Sequence, residues 1–174
     1  MRDAVYLDSN SLVYWALGSA GSQKLDEQRC AQAFDALVAS NASIACSPVS
    51  LAEFTSTLWS IVRSGKAELA HFDMTAANGA VEKLMSLVST GRIRVNNLQP
   101  GAFAIGMAIV AAGTREKQSS LRTWDAIHLH EACQWSRMIG QQVTIATTDS
   151  DLRNAIDVFP EFGRYVDVRD LTVV

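Results

Sequence analysis

The chain opens with a short apolar run that ends in an acid, Ala4-Val5-Tyr6-Leu7-Asp8-Ser9-Asn10-Ser11. A run of this length is typical of a buried strand, and the polar residues after it are typical of a turn and a helix N-cap. We therefore predict a strand over residues 4–7 and a helix over residues 11–17 that Gly18 ends. A strand that leads directly into a helix indicates an α/β fold.

The same alternation continues along the chain and defines the predicted architecture. Ser47-Pro48 is predicted to start a helix, since serine is a favoured cap and proline a favoured first residue, and Gly65 is predicted to end it. Thr123 is predicted to cap another helix. Strands are predicted over residues 42–46, 92–95, 143–147 and 164–168, and helices over residues 25–39, 48–63, 100–116 and 124–138, with one or two more between 66 and 89 and a polar loop at 117–122.

Such alternation predicts a mostly parallel sheet with helices on both faces. The 174 residues are 48% hydrophobic and 19% charged, enough apolar material for one core, and we expect a single α/β domain over residues 1–174. The longest weakly polar stretch, 102–113, is shorter than the roughly 18 residues of a membrane span. The start lacks a signal-peptide pattern, so a cytoplasmic protein is expected. Three cysteines without paired spacing argue against disulfides or a zinc site.

The charge balance narrows the classes of function. The net charge is −3, from 15 basic and 18 acidic residues, which disfavours a module that holds nucleic acid by a basic surface. The acidic balance is compatible with an enzyme that binds phosphates through bound cations.

Four acids occupy positions that suggest a shared site. Asp8 and Asp149 each follow an apolar strand, and the crevice beyond the carboxyl ends of parallel strands is the usual functional site of such sheets. Asp125 lies in the first turn of a predicted helix, and Glu53 near the start of another. Carboxylates gathered without cations repel one another unless a divalent metal neutralises them, and oxygen ligands suit Mg²⁺ or Mn²⁺.

Each acid also has an ordinary structural explanation. Asp8 can cap the next helix, and Glu53 can complete a capping box with Ser50. Asp125 is favoured by the helix dipole, and Asp149 is a common turn residue. The prediction of a site therefore depends on the four acids occurring together.

The motifs around these acids resemble those of the PIN-domain nucleases. Val5-Tyr6-Leu7-Asp8-Ser9-Asn10 is similar to the family's first motif, and Ser50-Leu51-Ala52-Glu53-Phe54 to its helical glutamate motif. Trp124-Asp125-Ala126-Ile127-His128-Leu129 resembles the third motif, which is the most specific, and Ala146-Thr147-Thr148-Asp149-Ser150-Asp151-Leu152 the last. The small single-domain form is most similar to VapC-type toxins, which are ribonucleases held inactive by a VapB-type antitoxin.

The resemblance implies a metal-dependent endoribonuclease with an antitoxin partner and a homodimeric state. Mg²⁺ or Mn²⁺ held by Asp8 and Asp125, with Glu53 and Asp149 as direct or water-mediated ligands, would activate water for attack on an RNA phosphodiester. The polar residues predicted to orient these ligands or water, or else to serve only in turns and caps, are Ser9, Asn10, Thr147 and Asp151.

Other polar and aromatic residues near these motifs are assigned structural roles. His128 lies one turn after Asp125 and could face the same crevice, but it is predicted to pack or to form hydrogen bonds. The basic residues Arg115, Lys117 and Arg122 are expected in a solvated loop in preference to RNA contacts. The tryptophans are expected in the core or an interface, with base stacking as the alternative: Trp15, Trp59, Trp124 and Trp135.

Two other classes of function compete with the nuclease. A phosphatase with Asp8 as nucleophile would require a second aspartate two positions later, where this chain has Asn10, and the acidic pattern of a receiver domain is also missing. A PIN-like module that only binds proteins would not need all four acids. Binding of a divalent metal distinguishes the nuclease from the module.

Overall fold

The computed structural model describes residues 3–116 and 121–173, in which strands and helices alternate. The strands are Ala4–Leu7 (β1), Ser43–Cys46 (β2), Ile93–Val95 (β3), Val143–Ala146 (β4) and Val166–Arg169 (β5). The α-helices are Ser9–Ser19 (α1), Leu25–Ala39 (α2), Pro48–Ser64 (α3), Met74–Ser89 (α4), Ala102–Glu116 (α5), Thr123–Ile139 (α6), Ser150–Arg153 (α7) and Ala155–Val158 (α8). Short 3₁₀ turns lie at Ala67–Leu69, Pro160–Phe162 and Leu171–Val173.

The five strands form one parallel sheet in the order β3-β2-β1-β4-β5. β1 lies at the centre, where Val5 is aligned with Ile44 of β2 on one side and with Thr144 of β4 on the other. Along the chain, β2 and β3 are added on one side of β1, and β4 and β5 are then added on its other side. A crevice therefore opens beyond the carboxyl ends of β1 and β4, where the strand order reverses.

Helices cover both faces of the sheet, as predicted. Val5 and Leu7 of β1 face a core built with α1, α2, α3 and α4, whose largest members include Trp15 and Phe34. Tyr6, on the opposite face of the same strand, packs in a second core with α6, α7 and α8. A strand buried on both sides explains why β1 is apolar at every position instead of alternating.

The ends of α3 confirm the capping residues predicted for it. The Ser47 hydroxyl accepts the backbone N–H of Ser50 at 3.1 Å, Pro48 is the first helical residue, and Gly65 ends the helix with a left-handed φ of 57°. Asp73 caps α4, which is a helix of the region 66–89 where one or two helices were predicted. The strand predictions are confirmed to within two residues at either end.

Three predictions about helices are wrong. α1 begins at Ser9, before the predicted start, and continues past Gly18, which was predicted to end it. Gly18 lies where α1 crosses α2, and a Cβ added there would lie 2.0 Å from the backbone oxygen of Glu27. The cap of α6 is Arg122, not Thr123. The two short helices α7 and α8 were not predicted.

Residues 117–120 of the predicted polar loop lie outside the described residues. Within the described ranges, none of the helices combines the length and the apolarity that crossing a lipid bilayer requires.

Candidate active site

Asp8 lies at the end of β1, beside the end of β4. Its backbone N–H donates to the carbonyl oxygen of Ala146 at 3.2 Å, which continues the pairing of the two strands by one residue. Its carboxylate accepts the N–H of Ser9 at 2.7 Å and the hydroxyl of Thr147 at 2.7 Å, and the residue is 2% exposed. Asp8 thus caps α1 and also projects a buried carboxylate into the crevice.

Glu53 of α3 is directed at the same place. Ser9 Oγ donates to Glu53 Oε2 at 2.9 Å and lies 3.4 Å from Asp8 Oδ1, so one hydroxyl contacts both carboxylates. The capping box suggested for Ser50 and Glu53 is wrong, because the structure forms that box between Ser47 and Ser50. Glu53 therefore has no capping role, and its bonds are to the candidate site.

His128 of α6 joins these two acids. Its Nε2 lies 2.9 Å from Glu53 Oε2 and 3.3 Å from Asp8 Oδ1, and its Nδ1 lies 3.2 Å from the hydroxyl of Tyr6. Burial lowers the pKa of His128, but the hydrogen bond to Glu53 and the charges of Asp8 and Glu53 outweigh burial and raise it. Burial raises the pKa of Glu53, and the contacts with His128 and Ser9 outweigh it and lower the value. His128 forms hydrogen bonds, as predicted, but it forms them with the acids of the candidate site.

Arg122 holds the other two acids. Its Nε lies 3.0 Å from Asp125 Oδ2 and its Nη2 lies 2.7 Å from Asp149 Oδ2. Burial raises the pKa of Asp125 by more than the bonds from Arg122 lower it. Arg122 is an exposed residue outside the helix, as expected, with its side chain 63% exposed, but its guanidinium is held by these two acids. The side chains of Arg115 and Lys117 lie outside the described part of the chain.

Both carboxylate oxygens of Asp149 accept hydrogen bonds. Oδ1 accepts the backbone N–H of Asp151 at 2.8 Å and so caps α7, while Oδ2 accepts Asn10 Nδ2 at 3.1 Å. Its own N–H donates to Thr147 Oγ1 at 3.0 Å. Thr147 therefore connects Asp149 to Asp8, whereas Asp151 reaches this network through its backbone.

The structure thus arranges the four acids as two neighbouring groups. Asp8 and Glu53 meet at His128, and Asp125 and Asp149 meet at Arg122. Asp8, Glu53 and His128 each offer a ligand atom, and these atoms lie within 4.8 Å of one another. Among the described residues, four carboxylates contact two cationic side chains even when His128 is protonated, so negative charge is in excess there. The donor chemistry and this excess fit a divalent cation.

Two clefts flank the acids. A polar cleft of about 420 Å³ is lined by Arg122, Asp149 and Asp151, and an apolar one of about 580 Å³ by Glu53 and Trp124. Two larger clefts, of about 610 and 620 Å³, are lined by residues at the amino ends of the strands and contain none of the four acids. The size of a cleft therefore does not identify the site here, whereas the placement of charge does.

The sequence interpretation did not predict the contacts of Arg122 and His128 with the acids, or the exposure of Trp124. Arg122 lies three residues before Asp125, which is the spacing of a capping box, so the signal for their contact was present. Its second contact, with Asp149, joins residues from distant parts of the chain and leaves no local signal.

Comparison with known proteins shows the fold. No family model matches the sequence, and no curated protein matches it. VapC20 of Mycobacterium tuberculosis, described as a sarcin–ricin loop cleaving toxin, is 19% identical over 87% of this chain and 95% of that one, with a TM-score of 0.53. FitAcB of Neisseria gonorrhoeae is 18% identical over 98% of this chain and 99% of that one, with a TM-score of 0.58. The chain has the PIN-like fold that its motifs predicted.

Proposed function

We propose that this chain is a metal-dependent endoribonuclease that hydrolyses RNA phosphodiester bonds. The observation that carries the proposal is the convergence of Asp8, Glu53, Asp125 and Asp149 at the strand-order reversal, where His128 and Arg122 are the cationic partners that the described residues supply. Likeness in fold to a protein described as a sarcin–ricin loop cleaving toxin supports the same class of reaction.

The residues that would hold Mg²⁺ or Mn²⁺ are Asp8, Glu53, Asp125 and Asp149. A bound divalent cation supplies a water of lowered pKa and positive charge beside the phosphate oxygens. Ser9 and Thr147 fix the Asp8 carboxylate through the bonds described above, and His128 positions Asp8 and Glu53 relative to each other.

The chain also supplies groups for the substrate itself. The carboxylates are the proton acceptors available to an attacking water at this site. Arg122 has an exposed guanidinium at the rim, where it can contact a phosphate as well as Asp149. Asn10 and the backbone of Asp151 hold Asp149 in place.

We also propose that the chain is the toxin of a VapBC-type pair. In this proposal it is a cytoplasmic homodimer, a single domain over residues 1–174, and is inhibited by a VapB-type antitoxin. The support is the motif resemblance together with the likeness in fold to VapC20, which is described as a toxin.

The test is cleavage of a mixed tRNA and ribosomal RNA pool by the partner-free protein with Mg²⁺ or Mn²⁺. Discrete fragments that disappear with EDTA and with Asp8→Asn are the expected result. Calorimetry with Mn²⁺ provides the second measurement. The absence of both cleavage and metal binding would overturn the proposal and favour a PIN-like interaction module.

A further inference from the structure

An apolar groove adjoins the candidate site and shares one of its acids. It runs between α3 and the amino-terminal turns of α5 and α6, and its volume of about 580 Å³ lies in the range of small-molecule sites. Glu53 lies at the boundary, since it lines the groove while its Oε2 bonds Ser9 and His128. The walls include Val49, Ala52, Leu98, Phe103 and Trp124.

Two exposed aromatic rings form one wall of this groove. Phe103 is 48% exposed and Trp124 is 43% exposed, and their centroids are 5.5 Å apart with planes at 79°. A perpendicular pair leaves at least one face of each ring uncovered by the other. Of the two positions predicted for the tryptophans, a core or an interface, Trp15 and Trp135 occupy a core, whereas Trp124 does not. The exposed tryptophan is thus the one adjacent in sequence to Asp125.

The chemistry of the lining favours a nucleobase over a phosphate. Glu53 is the only charged side chain among the described residues that line the groove, and its carboxylate would repel a phosphate. An unpaired base has two flat apolar faces that stack on aromatic rings, and polar edges that hydroxyl groups can meet. Ser56 and Thr57 place hydroxyl-bearing side chains along the same groove.

We propose that this groove is a base-stacking subsite for single-stranded RNA. One unpaired base stacks on Trp124, with Phe103 bracing the ring, and the neighbouring phosphodiester lies at the carboxylates. Glu53 and the adjacency of Trp124 to Asp125 make the groove continuous with the candidate site. The inference rests on the proposed ribonuclease function and adds to it a substrate requirement, an unpaired base next to the cleaved bond.

The first test measures binding of a short unstructured fluorescent RNA by anisotropy, in the Asp8→Asn background so that the RNA stays intact. Trp124→Ala should raise the Kd by about 5- to 150-fold, which corresponds to the free energy of base–aromatic stacking. Trp124→Phe should retain most of the binding, because it keeps a ring. Met107→Ala is the matched control, since this residue is an apolar side chain of α5 that is 63% exposed and lies outside the groove.

The second test removes the base and leaves the protein unchanged. A series of RNAs, each with one abasic nucleotide, is cleaved by the chain with its native site. An abasic nucleotide at one position next to the cleaved bond should reduce the cleavage rate as much as Trp124→Ala does. The two changes together should reduce the rate no more than either change alone.

The outcomes separate this proposal from the proposed function. The subsite is overturned if Trp124→Ala cleaves RNA as fast as the native chain in the presence of metal and if no abasic position reduces cleavage. The proposed ribonuclease function would stand in that case. If the native chain neither binds nor cleaves RNA, both the subsite and the proposed ribonuclease function are overturned. Loss of binding to a protein partner by Trp124→Ala, with RNA binding unchanged, identifies the groove as a protein-docking surface and also overturns the subsite.

Discussion

At the scale of single residues, the acids of the candidate site serve the backbone and the crevice together. Asp149 caps α7 through Oδ1 and bonds Arg122 through Oδ2. Asp8 caps α1 through Oδ1 and receives the hydroxyl of Thr147 at Oδ2. Because a carboxylate has two oxygens, a capping bond leaves the second oxygen for other partners. The capping and site interpretations of these acids are therefore compatible.

Asp8→Asn should abolish RNA cleavage and leave the fold intact. The asparagine keeps an oxygen for the N–H of Ser9, and the Thr147 hydroxyl can turn to accept from the new amide. Removing one charge also relieves repulsion among the carboxylates. We expect a loss of cleavage of about 100-fold or more and a change in unfolding free energy below about 1 kcal/mol.

Gel assays of cleavage and thermal melts check this prediction. Asp26→Asn is the control, since Asp26 is an exposed acid in the first turn of α2 and should keep full activity. A collapsed fold in Asp8→Asn would mean that the residue is essential as a cap alone.

Arg122→Gln should increase the affinity for Mn²⁺ and weaken cleavage. The guanidinium bonds Asp125 and Asp149, so a cation that binds these acids is opposed by its charge. Loss of about 1 kcal/mol of repulsion corresponds to a roughly fivefold lower Kd for Mn²⁺. Cleavage should fall because a phosphate loses a cationic partner.

Calorimetry with Mn²⁺ measures the first effect, and cleavage at saturating Mn²⁺ the second. Arg153→Gln is the control, since Arg153 pairs with Asp170 and with none of the four acids. An unchanged or weaker Mn²⁺ affinity in Arg122→Gln would show that the guanidinium and the cation do not compete for the same carboxylates.

The sequence predicted the acids better than their cationic partners, for a physical reason. Each acid adjoins a strand end or a helix start, and these are local features. The contacts of His128 with Asp8 and of Arg122 with Asp149 depend on how α6 is rotated against the sheet. That rotation is set by tertiary packing, which leaves no local pattern in the sequence.

At the scale of elements, strands and long helices follow from apolar patterns, but their ends follow from particular contacts. α7 and α8 have four residues each, which is too short to show a helical hydrophobic period. At Gly18 a local signal was present, but it predicted the wrong helix end. Glycine usually indicates a helix end, but here it lies inside α1 because a neighbouring helix leaves no room for a side chain.

Gly18→Ala should therefore destabilise the protein, although alanine is the better helix former. The added methyl would overlap the backbone of Glu27, which cannot move without shifting α2, and we expect a loss of about 1–3 kcal/mol. Gly79→Ala is the matched control within α4, where an added Cβ meets nothing within 4 Å, and it should gain about 0.5–1 kcal/mol. Urea melts of both variants measure the two effects. A stability gain in Gly18→Ala would contradict the close approach of α1 and α2.

At the scale of the whole molecule, the strand order is what makes a site from separate motifs. Alternation of strands and helices predicts a parallel sheet, but many orders are compatible with it. The order β3-β2-β1-β4-β5 places β1 beside β4, although these two strands are far apart in the sequence. Local patterns do not encode such pairing. The solved structures of VapC20 and FitAcB confirm the fold independently of the motifs.

The excess of carboxylates at this reversal predicts that a divalent cation stabilises the folded chain. An ion bound only by the folded state contributes RT ln(1 + [L]/Kd), or about 2.7 kcal/mol at a concentration 100-fold above its Kd. For a chain of this length that corresponds to a rise in the melting temperature of roughly 5–11 °C. Mn²⁺ should produce this rise and EDTA should reverse it, as measured by calorimetric or fluorescence melts.

Two variants decide whether that stabilisation arises at the candidate site. Asp8→Asn should lose most of the rise, because it removes a carboxylate oxygen from the group formed with Glu53 and His128. Asp35→Asn should keep all of it, because Asp35 is an exposed acid paired with Lys83 and bonds none of the four acids. An equal rise in both variants would place the ion elsewhere on the surface. No rise in the native chain would mean that these carboxylates bind no divalent cation, and that charge excess at a sheet reversal does not by itself make a metal site.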